Sequence, residues 1–438
     1  SPRLETSATW GFSALLMPAV AVFGSNALAL KAAAAAMLLA GVGLFYAGVR
    51  RRLAPAARHA LLAALFFNGY YLSFAGAVIS EAGYVLLFGL WVYLALGRRW
   101  LWDDRLSRTA LLAALTALLA LTRLIGFSLL AAAVCELIAS RRRRQAWRYG
   151  VAAGACVLPY FIVTTKAASG SSYQEICWAL WSGAGLAALK IPLANAYFYL
   201  KGLSLLTFLY FPSFLPNAAW LKASAVAAVA GVAACGAARS AKTPGGRLLL
   251  AYAGVYGLVC AVWPYQAPRF ALPVFPLFAF WFVEGLAVIV PAGRRRAALA
   301  ALCGAALLSN AAQIAAAARA SLTQPADMPH ASHLWLREHS RPDDLILSMD
   351  IARVRYYAGR RGVHFIASNS ALEFAARARA AGARYFFLKE TAYVPTVGTA
   401  DGARSQQERL AAYLSRADLF SPVYGNENEG VRIFTLRP

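Results

Sequence analysis

The sequence predicts a polytopic α-helical membrane protein of about ten spans plus interfacial helices, with a C-terminal extracytoplasmic α/β domain. Hydrophobic residues make up 60% of the 438 residues and charged residues only 14%. Apolar runs of about 18 residues or more require a bilayer. Short Arg-rich segments separate these runs, and the composition becomes polar only after about residue 320.

The distribution of basic residues sets the predicted topology. Residues 1–324 contain 28 Lys and Arg but only seven Asp and Glu, whereas residues 325–438 contain 15 and 12. Lys and Arg remain on the cytoplasmic side of a bilayer. This rule explains the net charge of +24, so no nucleic-acid partner is indicated. The predicted cytoplasmic loops are 49–58, 98–108, 140–148, 239–247 and 293–296.

Ten spans fit between these loops, with both termini outside. They are residues 27–48, 59–79, 82–97, 109–122, 124–139, 149–166, 220–238, 248–263, 270–290 and 297–318. The pair in 109–139 has about 15 residues per span, fewer than the roughly 20 that a full crossing needs. We therefore expect a re-entrant pair or a recess there. Residues 10–24 are predicted to form an interfacial helix on the outer surface. Residues 169–219 are predicted to form an external loop with interfacial or re-entrant helices.

Residues 1–324 are predicted to form a transmembrane domain, and residues 325–438 a separate α/β domain on the external face. The domain contains no GxGxxG or Walker pattern, so no nucleotide site is indicated. His330 and His333 lack a third ligand in a recognised pattern, so no metal site is predicted. The predicted strands are 344–348, 363–367, 384–389 and 431–436, and the predicted helices are 331–340, 372–382 and 407–416.

Three apolar stretches each carry one central charge between Arg-rich loops: Glu81, Arg123 and Arg269. Each stretch must cross the bilayer out and back, so all three charges are predicted at hairpin tips on the external face. A lone charge at membrane depth is costly and usually marks a functional site. An arginine there suits a lipid-linked phosphate, which the guanidinium fork binds bidentately. The alternative is an interfacial arginine among aromatic-belt residues.

Further site candidates surround these charges. Glu5, Glu81 and Glu175 are the external acidic residues before residue 325 and hence the candidate general bases. Glu81 also suits a simpler role, because a carboxylate stabilises the start of a helix. Tyr265 and Gln266 precede Arg269 in an aromatic, proline-containing segment suited to sugar rings, and Lys166 either contacts phosphate or anchors its loop at the headgroups. Glu136 is predicted to pair with Arg141 or to snorkel.

The order of several short motifs resembles the integral-membrane glycosyltransferases of the C superfamily, especially polyprenyl-phosphate-sugar-dependent enzymes similar to protein O-mannosyltransferases. The motifs are Thr9–Gly11, Ser80–Glu81, Leu121–Arg123, Pro268–Pro273, Trp335–Arg337 and Tyr356–Arg360. The resemblance implies transfer of a sugar, with inversion, from a polyprenyl-phosphate donor to an acceptor glycan, lipid or protein. The Ala- and Arg-rich composition suggests a bacterial inner membrane, and the predicted topology places the C-terminal domain in the periplasm or outside.

The resemblance further implies an acidic base or metal ligand in the first external loop. Most of that loop and the first span do not appear before Ser1, so we expect an N-terminally truncated chain, inactive if its base is missing. Glu5 lies in the remnant of the loop. No cofactor is required, and a divalent metal ion is left open. A transporter or flippase of lipid-linked sugars is the alternative function, although its inverted repeats are not visible.

Overall fold

The computed structural model divides the chain into two compact units, residues 1–318 and 319–438. The first is helical, and the second combines helices with a small sheet. The described residues are 10–24, 26–68, 71, 74, 78–167, 190–208, 219–263, 268–323, 331–348, 351–363, 368, 370–389 and 410–437.

The helices of the first unit follow the predicted spans. In chain order they are α1 Trp10–Phe23, α2 Ala27–Val49, α3 Pro55–Phe66, α4 Ser80–Val92, α5 Leu106–Thr122, α6 Phe127–Ala139, α7 Arg143–Ala167, α8 Lys190–Phe208, α9 Ala219–Ser240, α10 Pro244–Val262, α11 Phe275–Ile289 and α12 Arg295–Thr323. A π-helical turn extends α4 to Gly97. Every predicted span coincides with a helix, although α3 ends at Phe66, well before the predicted end at residue 79.

Among the described residues, four helical stretches are long and apolar enough to cross a bilayer, which fits a membrane protein. They are Leu28–Arg52, Ser80–Gly97, Ala223–Ser240 and Pro244–Val262. Several other apolar helices are shorter, including α5 and α6. The total of ten spans therefore stays a prediction, as does the interfacial position of α1.

Glycines allow two helix pairs to approach at backbone distance. Where α2 meets α4, a Cβ atom on Gly89 would lie 1.9 Å from the carbonyl oxygen of Gly41. Where α9 meets α11, a Cβ atom on Gly236 would lie 1.8 Å from the carbonyl oxygen of Trp281. Small residues at such crossings let membrane helices associate through close van der Waals packing. These contacts hold together helices that belong to different hairpins.

The Arg-rich loops meet at one end of this unit. Arg52 donates to the Thr243 hydroxyl over 3.3 Å, which connects the first and fourth loops. Arg247 donates to both carboxylate oxygens of Glu136 over 3.1 and 3.0 Å. Glu136 therefore pairs across helices with Arg247 rather than with Arg141, because α10 packs against α6. Gathering of the basic loops at a single end agrees with the predicted hairpin layout.

The second unit contains a five-stranded mixed sheet of order β2-β1-β3-β5-β4. Strand β1 pairs in parallel with β2 and β3, whereas β5 is antiparallel to both β3 and β4. Phe374, Phe386 and Phe420 lie in one of its apolar cores. The strands are β1 Leu345–Ser348, β2 Arg361–Val363, β3 Ala383–Lys389, β4 Phe420–Asn426 and β5 Val431–Leu436, and the main helices are α13 Ala331–His339 and α14 Ala371–Ala380.

Most elements of this unit were predicted, and β4 was missed. Its sequence includes Pro422 and Gly425, which weaken a strand pattern. At the edge of the sheet a proline is tolerated, because no further strand needs its missing N–H group. The predicted strand 363–367 begins earlier, at Arg361, and residues 364–367 lie outside the described residues. Residues 410–414 of the predicted helix 407–416 are helical.

We predict that Gly236→Ala destabilises the first unit by about 1–3 kcal/mol, because the added methyl group forces α9 away from the α11 backbone. Gly231→Ala in the same helix is the matched control, since a Cβ atom there meets nothing within 4 Å. The control should be neutral or slightly stabilising, given the higher helix propensity of alanine. Unfolding midpoints of the purified protein in detergent measure both. Equal midpoints for the two variants would contradict the close backbone contact.

Candidate functional site

Arg123 lies where the α5–α6 hairpin turns. Helix α5 ends at Thr122, and Arg123 takes an extended conformation with φ −153° and ψ 131°. One 3₁₀ turn, Leu124–Gly126, then leads into α6. A Cβ atom on Gly126 would lie 2.6 Å from the backbone nitrogen of Ala120. Only glycine allows the chain to turn back this close to α5. The Arg123 side chain extends from this turn to Glu81, which belongs to another helix.

Glu81 lies in the first turn of α4, immediately after Ser80. Its side chain is only 2% exposed. The Ser80 hydroxyl donates to its Oε2 atom over 3.3 Å. A helix N-terminus is a favourable position for an anion, which agrees with the predicted role of Glu81 in stabilising the start of its helix. Burial, however, requires more than a helix dipole, since a buried carboxylate costs several kcal/mol unless it is paired.

Arg269 lies in the 3₁₀ turn Pro268–Ala271 that precedes α11. Two tyrosines from other segments hold the turn through its carbonyl groups. The Tyr256 hydroxyl donates to the carbonyl oxygen of Phe270 over 2.7 Å, and the Tyr71 hydroxyl donates to that of Leu272 over 2.6 Å. Both tyrosines are 2% exposed. The backbone that carries Arg269 is therefore anchored from two sides.

The three hairpin-tip charges meet at one carboxylate oxygen. Arg123 forms an ion pair with Oε1 of Glu81, and the Nε atom of Arg269 lies 3.4 Å from the same oxygen. The Phe270 ring contacts both cations, with its centroid 4.9 Å from the Arg123 guanidinium carbon and 5.8 Å from that of Arg269. Such cation–π contacts add to the ionic attraction. We call Glu81, Arg123 and Arg269 the tip cluster.

The tip cluster combines two positive charges with one negative charge and so retains a formal charge of +1. Exposure differs sharply among its members: Glu81 is 2% exposed, Arg123 19% and Arg269 50%. An approaching ligand therefore meets guanidinium groups and not the carboxylate. Guanidinium N–H groups that do not face Glu81 remain available to phosphoryl or carboxylate oxygens, for which their planar fork is suited.

Helix α1 packs beside the tip cluster. A Cβ atom on Gly11 would lie 2.6 Å from the backbone nitrogen of Thr122, the residue before Arg123. The side chains of Phe12 and Leu15 approach Gly83, two residues after Glu81, so that a Cβ atom there would lie 2.9 Å from each. The beginning of α1 therefore covers the helix ends that carry Glu81 and Arg123. This is the end of the unit opposite the Arg-rich loops.

A second anchor lies near Arg269. Asn195, in α8, is 2% exposed. Its side-chain amide donates to the carbonyl oxygens of Ala261 and Trp263 over 2.9 and 2.6 Å. These carbonyls end α10 just before residues 264–267. Neither Asn195 nor the anchors Tyr71 and Tyr256 could be identified from sequence, because each acts on backbone groups in another segment.

The described residues do not test the other predicted site residues. Glu5, Glu175, Tyr265 and Gln266 lie outside the described residues. Lys166 is in the last turn of α7, and its side chain is not among those described.

A metal ion finds no set of ligands in the described part of the chain. No group of three or more His, Cys, Asp or Glu side chains among the described residues could hold one. Glu81 faces two arginines, and their charges oppose a cation at its Oε1 atom. The described part of the tip cluster therefore does not fit a metal, and no chemical step is assigned through one.

Comparison with known proteins identifies a fold. No family model matches the chain, and neither does any curated protein. The structure is similar to the crystal structure of the oligosaccharyltransferase of Archaeoglobus fulgidus in complex with Zn and sulfate, with a TM-score of 0.52 and 15% identity. The match covers 87% of this chain and 59% of that one.

A second crystal structure of the same archaeal oligosaccharyltransferase, tethered to an acceptor peptide containing the NVT sequon, matches with a TM-score of 0.49 and 15% identity over 87% of this chain and 60% of that one. Our chain thus spans about 59% of the length of its structural neighbour. The likeness is one of fold. The chain shares its fold with this archaeal oligosaccharyltransferase, which agrees with the fold that its sequence motifs predict.

We predict that Arg123→Gln destabilises the protein by about 3 kcal/mol, because Glu81 would remain buried without its less exposed partner. Arg269→Gln should lower the free energy of unfolding much less, because half of the Arg269 side chain is exposed. Adding Glu81→Gln to Arg123→Gln should restore part of the loss. Unfolding midpoints in detergent of the wild type, Arg123→Gln, Glu81→Gln and the double variant form a double-mutant cycle. A coupling free energy near zero would show that the ion pair contributes nothing to the fold.

Proposed function

We propose that this protein is a membrane glycosyltransferase that moves a sugar from a polyprenyl-phosphate donor to an acceptor on the extracytoplasmic face. The supporting observation is the tip cluster, in which two arginines share one buried carboxylate and turn their exposed sides outward. Arginines at membrane depth suit a phosphate that is attached to a lipid, because this phosphate also lies at the membrane surface. The glycosyltransferase C fold is consistent with this chemistry.

The proposed reaction is a displacement at the anomeric carbon of the sugar. The acceptor oxygen forms a new bond to that carbon while the bond to the donor phosphate oxygen breaks, which inverts the configuration. The phosphate oxygen leaves with the bonding electron pair, and the acceptor proton passes to a base. Arg123 and Arg269 stabilise the negative charge that develops on the departing polyprenyl phosphate.

The contacts of Glu81 favour a positioning role over the general-base role. Arg123 and Arg269 both contact the Oε1 atom of Glu81, so this oxygen is not free to face an acceptor hydroxyl. The 2% exposure of the Glu81 side chain also leaves little room for an acceptor hydroxyl. We propose that Glu81 holds the two arginines at the spacing that the donor phosphate needs. Glu5, in the first external loop, remains the other candidate base.

The remaining candidates complete the proposed site. Tyr265 and Gln266 precede Arg269 by a few residues and are proposed to contact the sugar. Lys166, in the last turn of α7, and Glu175, after α7, are proposed to line the donor site. The acceptor is a glycan, lipid or protein. The archaeal neighbour is an oligosaccharyltransferase, so the assay includes acceptors of all three kinds. We place the protein in a bacterial inner membrane with residues 325–438 in the periplasm.

We predict that the full-length protein, in detergent with a polyprenyl-phosphate sugar and an acceptor mixture, releases polyprenyl phosphate and forms a glycosylated product. Arg269→Gln should weaken donor binding about 10- to 100-fold through loss of a charge-assisted contact, with the fold intact. Arg437→Gln, in the second unit, is a charge-matched control. Movement of the lipid-linked sugar across liposomes without product would instead indicate a transporter. Unchanged donor affinity in a folded Arg269→Gln protein would remove Arg269 from the site.

A second prediction separates the two roles of Glu81. If Glu81 positions the arginines, Glu81→Gln should raise the donor KM about tenfold and leave the pH dependence of kcat unchanged. If Glu81 is the base, kcat should fall by about 10²–10⁴ and its acidic limb should disappear, with little change in KM. Steady-state kinetics across pH 5–9 measures both. The second result would overturn the positioning role.

A further inference from the structure

A cavity of about 310 Å³ lies at the Arg-rich end of the first unit, opposite the tip cluster. It is formed where α5 and α7 begin. Its lining residues are Asp104, Thr109, Arg144, Gln145 and Arg148. Gln145 and Thr109 are buried, whereas Arg144 is exposed, so the cavity has a fixed inner wall and a basic outer edge.

The two arginines of this cavity carry uncompensated charge. Arg144 and Arg148 are four residues apart and therefore lie on the same face of α7. Neither forms an ion pair or side-chain hydrogen bond with the residues that the structure describes. Gln145 lies between them in the chain. Its side-chain amide donates to the carbonyl oxygens of Leu101 and Asp103 over 2.8 and 2.7 Å and not to either arginine. The cavity therefore presents two free guanidinium groups.

Nearby carboxylates are engaged elsewhere. Asp104 lies 3.3 Å from Arg142. Asp103 pairs with Arg108 and accepts a hydrogen bond of 2.9 Å from the backbone N–H of Arg105. That backbone hydrogen bond lowers the pKa of Asp103, with a smaller contribution from Arg108. Each acid therefore pairs with an arginine outside the cavity, and Arg144 and Arg148 outnumber Asp104, the one acid in the lining.

The same face of α7 becomes apolar beyond the arginines. Val151, Leu158 and Ile162 continue the stripe at helical spacing and are 49%, 57% and 47% exposed. Trp147, next to Arg148, is 74% exposed, as expected of an aromatic residue at a membrane interface. From Arg148 to Ile162 the helix rises about 21 Å. A cationic end thus leads into an apolar stripe comparable in length to an acyl chain.

We propose that this cavity binds the phosphate-bearing headgroup of an anionic phospholipid, with an acyl chain along the stripe Val151–Leu158–Ile162. The guanidinium groups of Arg144 and Arg148 take the phosphodiester oxygens, for which their forked donors are matched. The apolar stripe favours a lipid over free phosphate, because inorganic phosphate has no apolar part to contact it. This site lies at the opposite end of the helices from the tip cluster and does not rest on the proposed function.

The direct test is lipid titration of the delipidated full-length protein, with bound lipids counted by native mass spectrometry. Phosphatidylglycerol should bind saturably at one site, and phosphatidylcholine should bind at least tenfold more weakly. Arg144→Gln with Arg148→Gln should weaken phosphatidylglycerol binding about 30-fold, from roughly a factor of five for each arginine near an anionic headgroup. Brominated phosphatidylglycerol should quench the fluorescence of Trp147, measured as the difference from Trp147→Phe.

The matched control is Arg141→Gln with Arg143→Gln, which removes the same charge from the same region outside the cavity. It should change affinity less than threefold. Equal losses in the two double variants would overturn the site, because the attraction would then be general. Equal binding of both lipids, or displacement of phosphatidylglycerol by 10 mM inorganic phosphate, would overturn it too. If the double variant fails to fold, Arg144→Gln and Arg148→Gln alone should each lose about fivefold, and no loss in either would refute the proposal.

Discussion

The buried ion pairing of Glu81 with two arginines is the constraint on which the arrangement of the helix ends depends. Glu81 lies in the first turn of α4, Arg123 directly follows α5, and Arg269 lies in the turn before α11. A carboxylate that is 2% exposed must keep its partners, because an unpaired buried charge costs several kcal/mol. The ion pairs therefore hold three separate hairpin tips together. Tyr71 and Tyr256 add hydrogen bonds to the same region, so that Arg269 approaches from an anchored backbone.

Helix length explains why a charged cluster is possible at this place. Helix α5 has 17 residues and α6 has 13, which correspond to about 26 and 20 Å. A typical hydrocarbon core is about 30 Å thick. If α5 begins and α6 ends at the Arg-rich surface, the tip between them stays below the opposite surface. Arg123 would then lie in a recess, where a lipid-linked phosphate is close and open water is limited. The start of α1 packs against this tip and narrows the recess further.

The two ends of the first unit differ in how their arginines are used. At the Arg-rich end, many arginines stabilise loops, as Arg247 does with Glu136 and Arg142 does with the carbonyl oxygen of Trp102 at 2.6 Å. Arg144 and Arg148 depart from this pattern and face a cavity. At the other end, Arg123 and Arg269 share one carboxylate and retain a net positive charge. Under the two proposals, the arginines at each end bind the phosphate of a different membrane lipid.

The sequence by itself determined the helical spans, the separate C-terminal domain and the hairpin layout that sends Glu81, Arg123 and Arg269 to one end. Hydropathy and the positions of Arg-rich loops are local properties, so they can be read directly. Only the tertiary structure decided which groups pair. It joined Glu81 to two arginines, moved the partner of Glu136 from Arg141 to Arg247, and recruited Tyr71, Tyr256 and Asn195 to distant carbonyl groups. These partners are far apart in the chain, and helix packing brings them together through close contacts such as Gly89 with Gly41.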